Sequence, residues 1–211
     1  MSVIGCVIWD FNGTLLDDVD TSIATVNDSL KKHGLPLTDK EEYRRNITMP
    51  IVDYYAKHFD LEKIPMSELA QGYLDGFELY HGLLKPGKGA LKALEELSRL
   101  GVRQCVVSSY EQKRLEELMR EFGMYDFMDG ISGAEDTSCV SKVERGKRWI
   151  EQQGIDPENT VVVGDLTHDF ELAQALGAKC LLFAGGHQDR ARLESCGVPV
   201  IDDLTEVLNY E

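Results

Sequence analysis

The fold is decided near the start of the chain, where residues 3–15 read VIGCVIWDFNGTL. The apolar run Val3–Trp9 is short and rich in β-branched residues, and it is followed by a carboxylate, Asp10, and a glycine turn. A run of this kind, closed by polar turn residues, is typical of a buried strand in a parallel sheet. This stretch therefore predicts a first strand with an acidic residue at its carboxyl end.

Later runs of the same kind predict the rest of the sheet. They are Val102–Val107, Val161–Val163, Cys180–Phe183 and Val198–Ile201, with Gly130–Ser132 as a sixth, very short strand. Apolar stripes at helical spacing lie between most of these runs, and glycines such as Gly101 and Gly123 end them. Strands that alternate with helices indicate βαβ units. We therefore predict an α/β fold with a Rossmann-like parallel sheet core that is covered on both faces.

One long stretch, residues 16–84, interrupts the alternation and contains no convincing strand. The apolar spacing within Val19–Leu30 predicts an amphipathic helix, and further helices are expected around Ile51–Phe59 and Ser67–His81. A turn or hinge rich in Pro and Gly, Leu84–Gly89, follows. The predicted domains are a Rossmann-like core of residues 1–15 and 85–211 and a small all-helical cap of residues 16–84, inserted after the first strand. A cap at this point would cover the carboxyl ends of the strands, where α/β sheets bind ligands.

The composition is that of an ordinary globular protein, with 211 residues of which 43% are hydrophobic and 28% charged. This length is enough for one full core and a small accessory domain. The formal net charge of −15 repels nucleic-acid phosphates and anionic lipids, so no nucleic-acid or membrane partner is expected. An enzyme with this charge that acts on a phosphate ester needs a local positive centre, either a metal ion or a lysine.

The cysteines and the first residues predict a cytoplasmic location. The number of cysteines is odd, and their spacings contain no C-x-x-C, which favours reduced thiols. They are Cys6, Cys105, Cys139, Cys180 and Cys196. The first apolar run lacks a preceding basic segment and is too short for a signal peptide or a membrane span.

Polar side chains follow the predicted strands or precede a helix, and these are the candidates for chemistry. They are Asp10, Ser108, Ser109, Lys142, Asp165 and Asp169. Because the carboxyl ends of parallel strands share one edge of a sheet, these groups are expected to converge. Three carboxylates in one place are costly unless a cation joins them, and oxygen ligands favour Mg²⁺. The hydroxyls and the ammonium group can hold phosphate oxygens, and an aspartate can act as a nucleophile that forms an aspartyl-phosphate.

Each candidate also has an ordinary structural interpretation. Asp10 and the Gly164–Asp169 segment suit turns, Ser108 and Ser109 suit a cap for a helix from Glu111 onward, and Lys142 suits a solvated surface. Their order along the chain, at strand ends and at spacings of domain size, favours a common site.

The sequence resembles the haloacid dehalogenase superfamily, in the branch of phosphoglycolate phosphatase-like proteins with a helical cap. Four motifs match in order: Asp10–Leu15, the apolar strand that ends at Ser108, Lys142, and Gly164–Asp169. The position of the predicted cap and the segment Leu84–Gly87 also match, so the resemblance covers essentially the whole chain. It implies an enzyme that hydrolyses a small phosphorylated metabolite with Mg²⁺, as a monomer or a homodimer.

The resemblance also implies a role for each site residue. Asp10 would attack phosphorus, and Asp165 and Asp169 would bind Mg²⁺ together with Asp10 and the main-chain carbonyl of Asn12. The transferring phosphoryl group would be bound by Ser108 and oriented by Lys142. Further phosphate contacts are expected from Ser109 and from the main-chain N–H groups of Phe11 and Asn12.

Asn12 departs from the family pattern, because most phosphatases of this family carry a second Asp at this position. That Asp protonates the leaving group and then deprotonates water, whereas an amide cannot exchange protons near neutral pH. General acid–base catalysis typically contributes about 10²–10⁴-fold to the rate. The amide should therefore lower the rate most with alkyl phosphates and least with acyl or activated aryl phosphates.

Several explanations of Asn12 remain open. The substrates could have good leaving groups, or another group, such as a cap residue or His168, could supply the proton. Alternatively, the chain could be a non-hydrolytic phosphate-binding or regulatory protein, or carry a substitution introduced to trap a complex. Dehalogenases typically place an aromatic residue here and phosphonatases a small one, and neither pattern matches. A phosphonatase would also need a cap lysine such as Lys31, Lys32 or Lys57 in the site.

Other polar or aromatic residues are given structural interpretations. Arg44 and Arg45 are interpreted as a solvated surface rather than as an anion site. Cap packing is expected for Tyr54, Tyr55 and His58. A plain turn is expected for Gly185, Gly186 and His187, with a position at the rim of the site as the alternative.

Overall fold

A computed structural model describes residues 4–134 and 142–210 of the chain. Cys139 lies outside the described residues, and Cys6, Cys105, Cys180 and Cys196 are free thiols. None of the described helices is long and apolar enough to cross a membrane.

The core is a six-stranded sheet in which every neighbouring pair is parallel. In spatial order its strands are β5 (Gly130–Ala134), β4 (Arg103–Glu111), β1 (Cys6–Trp9), β6 (Thr160–Gly164), β7 (Lys179–Phe183) and β8 (Val200–Ile201). All six lie at the predicted places, which confirms the α/β fold. The strand predicted to end at Val107 continues past Ser108 to Glu111, with an irregular register against β5 after Val107.

Helices cover both faces of this sheet, as predicted. They are α5 (Ala90–Arg99), α6 (Gln112–Glu121), α7 (Lys142–Gln153), α8 (Thr167–Leu176) and α9 (Arg190–Glu194). Side chains along a strand alternate between faces, so Val7 and Trp9 pack with α5 and α6, whereas Cys6 and Ile8 pack with α7 and α8. Two apolar cores, one on each face, therefore fix the sheet and the ends of its strands.

Residues 16–84 contain a third apolar cluster. The helices that build it are α1 (Val19–Lys32), α2 (Lys40–Asn46), α3 (Ile51–Tyr55) and α4 (Met66–Leu79). Helix α2 was not predicted, because its sequence KEEYRRN buries only Tyr43 and so carries no apolar stripe. Its start is defined by Asp39, whose carboxylate accepts a hydrogen bond from the Glu42 N–H at 2.8 Å. The division of the chain at residues 16 and 84 stays a prediction.

A short antiparallel ribbon joins this helical segment to the core. Strand β2 (Leu16–Asp17) pairs with β3 (Lys85–Pro86). The expectation of no strand between residues 16 and 84 is therefore wrong at Leu16–Asp17. Two residues are too few to show a strand periodicity, which explains why the sequence pattern missed this ribbon.

Candidate active site

Three buried carboxylates converge at the carboxyl edge of the sheet. Asp10 follows β1, Asp165 follows β6, and Asp169 lies in the first turn of α8. Asp10 is 7% exposed and the other two are fully buried, and one oxygen of each carboxylate lies within 4.8 Å of the others. The strand register explains this convergence, because Trp9 pairs with Val163 and both strands end at the same level. An oxygen-only donor set of this kind suits a hard divalent cation.

Lys142 brings a positive charge into this acidic cluster. It is the first residue of α7, and its Nζ lies 2.5 Å from Asp10 Oδ1 and 2.6 Å from Asp169 Oδ1. The side chain is only 5% exposed, so the solvated-surface interpretation is wrong. Burial alone would lower the pKa of Lys142, yet Asp10 and Asp169 together raise it above its ordinary value. Lys142 is therefore charged, but one ammonium does not neutralise three carboxylates.

Two carboxyl groups of the cluster have pKa values above the ordinary range. Burial raises the pKa of Asp10 to about 8, although Lys142 opposes this rise. Burial likewise raises the pKa of Asp165 to about 6, with His187 as the main opposing group. A bound cation would favour the ionised forms of both carboxylates. The residues present at this edge of the sheet therefore fit a divalent metal ion.

Three glycines make room for these carboxylates. A Cβ atom at Gly13 would lie 2.3 Å from Asp165 Oδ2, and one at Gly186 would lie 2.2 Å from the same oxygen. At Gly164 a Cβ atom would lie 2.1 Å from the carboxylate carbon of Asp169. Gly13 also has a φ of 78°, in the left-handed region that favours glycine. Side chains at these positions would displace the acidic groups.

Fixed hydrogen bonds orient the two acids beyond Asp10. The Thr14 hydroxyl donates to Asp165 Oδ1 at 3.1 Å, and the His187 N–H donates to Asp165 Oδ2 at 2.6 Å. The Leu166 N–H donates to Asp169 Oδ2 at 3.0 Å. These bonds fix the orientation of both carboxylates.

The predicted phosphate-binding groups lie next to Asp10 or at the end of β4. The main-chain N–H groups of Phe11 and Asn12 donate no hydrogen bond to any described residue, so they are available to an anion. Ser108 is buried and Ser109 is exposed. Neither serine caps α6, because the carboxylate of Glu111 accepts from the first N–H groups of that helix. The helix-cap interpretation of Ser108 and Ser109 is therefore wrong.

The sequence pattern missed a buried polar network next to Asn12. The Asn12 amide Nδ2 donates to Asp18 Oδ2 at 2.9 Å, and the Gly13 N–H donates to Asp18 Oδ1 at 2.8 Å. His187 Nε2 lies 3.0 Å from the same Oδ1 atom, and His187 Nδ1 lies 3.0 Å from the hydroxyl of Tyr43 in α2. Burial alone would lower the pKa of His187, but Asp18 is the largest of several influences that raise it to about 9.

Neither Asp18 nor His187 could have been assigned from the sequence. Asp18 is one of two adjacent acids after the first turn, and His187 follows a pair of glycines that suggests a plain turn. That interpretation of His187 is wrong, because the residue is 8% exposed and contacts Asp165 through its N–H group.

The other residues considered from the sequence lie outside the acidic cluster. His168 Nδ1 lies 2.9 Å from Glu171, and the pair is partly exposed. The predicted packing of Tyr54, Tyr55 and His58 is confirmed, since both tyrosines belong to the third apolar cluster and the His58 ring lies 5.0 Å from that of Tyr54.

The two adjacent arginines have different environments. Arg45 is exposed, as expected for a solvated surface. Arg44 is half-buried and donates to the Gly185 carbonyl at 2.6 Å, so the solvated interpretation is wrong for this residue. It links α2 to the loop that carries His187.

Comparison with known proteins agrees with this geometry. The family model described as haloacid dehalogenase-like hydrolase matches residues 7–183. The chain belongs to this family. The resemblance seen in the four motifs is thereby confirmed.

The names of the relatives of this hydrolase describe more than one activity. Phosphoglycolate phosphatase 1 of Pseudomonas aeruginosa is 24% identical over 96% of this chain and 78% of that protein. Tyrosine-protein kinase PtkA of Mycobacterium tuberculosis is 26% identical over 96% of this chain and 72% of that protein. A haloacid dehalogenase-like hydrolase from Streptococcus pneumoniae shares the fold with a TM-score of 0.85 at 22% identity, covering 100% of this chain and 99% of the other.

Proposed function

We propose that this chain is a Mg²⁺-dependent phosphatase that hydrolyses a small phosphorylated metabolite through an aspartyl-phosphate on Asp10. One observation carries the proposal: Asp10 lies in a buried acidic cluster with Lys142 at 2.5 Å. The phosphatase relative from Pseudomonas aeruginosa supports the same class of reaction.

In the first step, a carboxylate oxygen of Asp10 forms a bond to phosphorus while the bond between phosphorus and the ester oxygen breaks. The alcohol or acid leaves with that electron pair, and the phosphoryl group stays on Asp10. In the second step, water attacks phosphorus, which releases inorganic phosphate and restores the Asp10 carboxylate. Lys142 favours the ionised nucleophile in this buried place and then lies beside the phosphoryl oxygens.

The remaining site residues fit this reaction. Asp10, Asp165, Asp169 and the main-chain carbonyl of Asn12 would hold Mg²⁺, which when bound supplies positive charge against the phosphate and the carboxylates. The N–H groups of Phe11 and Asn12 would bind phosphate oxygens, since they donate to no described residue. The hydroxyl groups of Ser108 and Ser109 would complete the phosphate site.

Asn12 sets the preferred leaving group in this proposal. Its amide can donate and accept hydrogen bonds but cannot transfer a proton. Within its described surroundings, His168 is engaged with Glu171 rather than with the acidic cluster, which gives no support to it as a substitute acid. Substrates whose leaving groups need no proton, such as acyl phosphates, are therefore favoured over alkyl phosphates.

A second candidate is a non-hydrolytic phosphate-binding or regulatory protein, and Asn12 is the observation that favours it. A phosphonatase gains no support, because Lys31 is exposed, Lys32 pairs with Glu68 and Lys57 donates to the Asn46 carbonyl. A dehalogenase gains none from Asn12, which is not aromatic.

Turnover of acetyl phosphate and p-nitrophenyl phosphate separates the hydrolase from the binding protein. Both are measured with Mg²⁺ and with EDTA for the natural chain, Asp10→Asn and the control Asp17→Asn, which removes a carboxylate outside the acidic cluster. We expect Mg²⁺-dependent turnover that Asp10→Asn abolishes and Asp17→Asn retains. If the natural chain is inert with both substrates but binds inorganic phosphate, the hydrolase proposal fails and the binding protein is correct.

A further inference from the structure

Asn12 donates a hydrogen bond to Asp18, and the chemistry of the two groups allows only this direction. The amide Nδ2 of Asn12 lies 2.9 Å from Asp18 Oδ2. A carboxylate only accepts hydrogen bonds, so the atom that faces it must be the amide nitrogen. Within the described residues the other amide atom, Asn12 Oδ1, accepts no hydrogen bond, and the side chain is half-exposed. The pair thus leaves a free acceptor at position 12.

Asp18 is itself held rigidly. It is 1% exposed, and its Oδ1 accepts from the Gly13 N–H at 2.8 Å and lies 3.0 Å from His187 Nε2. His187 is in turn fixed by Tyr43 at 3.0 Å. Because Oδ1 serves these two partners, only Oδ2 is left for Asn12. The carboxylate therefore cannot turn to suit a different group at position 12 without losing a buried contact.

We infer that Asp18 is a positioning residue that requires an amide at position 12 and, by binding its Nδ2, leaves the Oδ1 atom of Asn12 as a hydrogen-bond acceptor toward the bound substrate. The inference rests on the proposed function for its catalytic consequence. A carboxylate at position 12 would face the Asp18 carboxylate at 2.9 Å, and like charges at that distance repel. A single Asn12→Asp substitution would therefore place two carboxyl groups in contact, of which only one can be ionised at a time.

The exchanged pair Asn12→Asp with Asp18→Asn gives a direct test. In that double variant the new amide at 18 can donate from Nδ2 to the carboxylate at 12, while its Oδ1 still accepts from Gly13 and His187. The number of hydrogen bonds is kept, the bond between 12 and 18 is reversed, and His187 exchanges an ionic partner for a neutral one. Asn12→Asp alone leaves two carboxylates facing each other. After Asp18→Asn alone, the Asn12 amide can turn so that its Oδ1 accepts from the new Nδ2 and no longer faces the substrate. The matched control is Asn12→Asp with Asp17→Asn, which has the same net charge but leaves position 18 without a hydrogen-bond donor for position 12.

Thermal unfolding in EDTA tests the pairing of positions 12 and 18 independently of enzymatic activity. We expect Asn12→Asp to melt about 4 °C below the natural chain, and the exchanged pair to recover most of that loss. The control with Asp17→Asn should stay as low as Asn12→Asp alone. Losses that simply add in the exchanged pair, or equal recovery in the control, would overturn the inference.

Turnover then shows whether the pair positions a reacting group or only supports the fold. With an alkyl phosphate, the exchanged pair should exceed the natural chain by about 10²-fold in kcat, because it has an unopposed carboxylate at 12. Asn12→Asp alone should gain less than about tenfold. If thermal recovery occurs without this gain, the positioning role is wrong. If no variant turns over any ester, the proposed function fails, and the melting temperatures still decide the pairing.

Discussion

Lys142 places its ammonium group between Asp10 and Asp169, and this contact yields the first residue-scale prediction. Lys142→Met keeps an aliphatic stem but removes the charge. We expect turnover of acetyl phosphate to fall by about 10²-fold or more, as when one preorganised electrostatic contact is removed. Breaking a buried ion pair should also lower the free energy of unfolding in EDTA by about 3–5 kcal/mol.

Urea unfolding and steady-state turnover check this expectation. The control is Lys147→Met, which removes an exposed lysine from the same helix. The control should keep both stability and turnover. A Lys142→Met variant that turns over within threefold of the natural chain would contradict the role given to this residue.

Gly186 gives a second residue-scale prediction. A Cβ atom there would lie 2.2 Å from Asp165 Oδ2, so Gly186→Ala should displace that carboxylate. We expect the thermal stabilisation by Mg²⁺ to be reduced or lost, and a higher Mg²⁺ concentration to be needed for turnover. Gly82→Ala is the control, because no described atom lies within 4 Å of a Cβ atom at that position. Equal responses of both variants to Mg²⁺ would show that the space at Gly186 is not needed.

The sequence predicted some residues of the site and not others, for a physical reason. Asp10 and Asp165 follow strands directly, and Asp169 lies in the first turn of the helix after β6. Parallel strands end at one edge, so their convergence follows from topology. Asp18 and His187 meet only because the junction between β2 and α1 and the loop after β7 approach each other. No periodicity or strand-end rule relates two such loops, and their contact therefore could not be predicted.

At the scale of elements, α2 is attached to the core by its contacts with the loop after β7. The Tyr43 hydroxyl lies 3.0 Å from His187 Nδ1, and the Arg44 carbonyl accepts from the Asp189 N–H at 3.2 Å. These contacts place α2 beside the network that includes Asp18. The element was missed in the sequence because a helix attached by polar contacts needs few apolar residues, whereas each strand of the buried sheet is marked by a continuous apolar run.

Two tyrosines of the third apolar cluster test this attachment. Tyr43→Phe removes a hydroxyl that pairs with His187, so it should lower the free energy of unfolding by about 1–3 kcal/mol by leaving a buried ring nitrogen unpaired. The buried hydroxyl of Tyr54 has no partner among the described residues, so Tyr54→Phe should be neutral or slightly stabilising. Urea unfolding measures both. A Tyr43→Phe variant as stable as Tyr54→Phe would mean that the contact with His187 contributes nothing.

At the scale of the whole molecule, apolar burial stabilises the folded chain, whereas its net negative charge opposes folding. Two apolar cores hold the sheet and a third holds the helices of residues 16–84, while the formal net charge is −15. Part of the negative charge is buried at one edge of the sheet, where the carboxylates converge. Composition alone gives the net charge but not this placement, so the response of the fold to pH and metal depends on the structure.

The stability of the metal-free protein should therefore fall as pH rises. Burial raises the pKa of Asp10 from 3.8 to about 8 and that of Asp165 from 3.8 to about 6. Between the ordinary and the raised pKa of each group, the folded chain therefore binds more protons than the unfolded chain. The free energy of unfolding decreases with pH wherever the folded state holds more protons. His187 acts in the same direction, since Asp18, against the effect of burial, raises its pKa from 6.5 to about 9. Its contribution is complete below about pH 6.5 and is lost as pH rises through 9.

Mg²⁺ should reverse this dependence, because it binds the ionised carboxylates that protons otherwise neutralise. Melting temperatures measured from pH 5 to pH 9 should fall in EDTA, and the increase produced by Mg²⁺ should grow over the same range. Asp10→Asn removes the group with the largest titration window, so its profile in EDTA should be flatter. A profile of the natural chain that is flat in EDTA, or a Mg²⁺ effect that is largest at pH 5, would show that the acidic cluster does not control the pH dependence of folding.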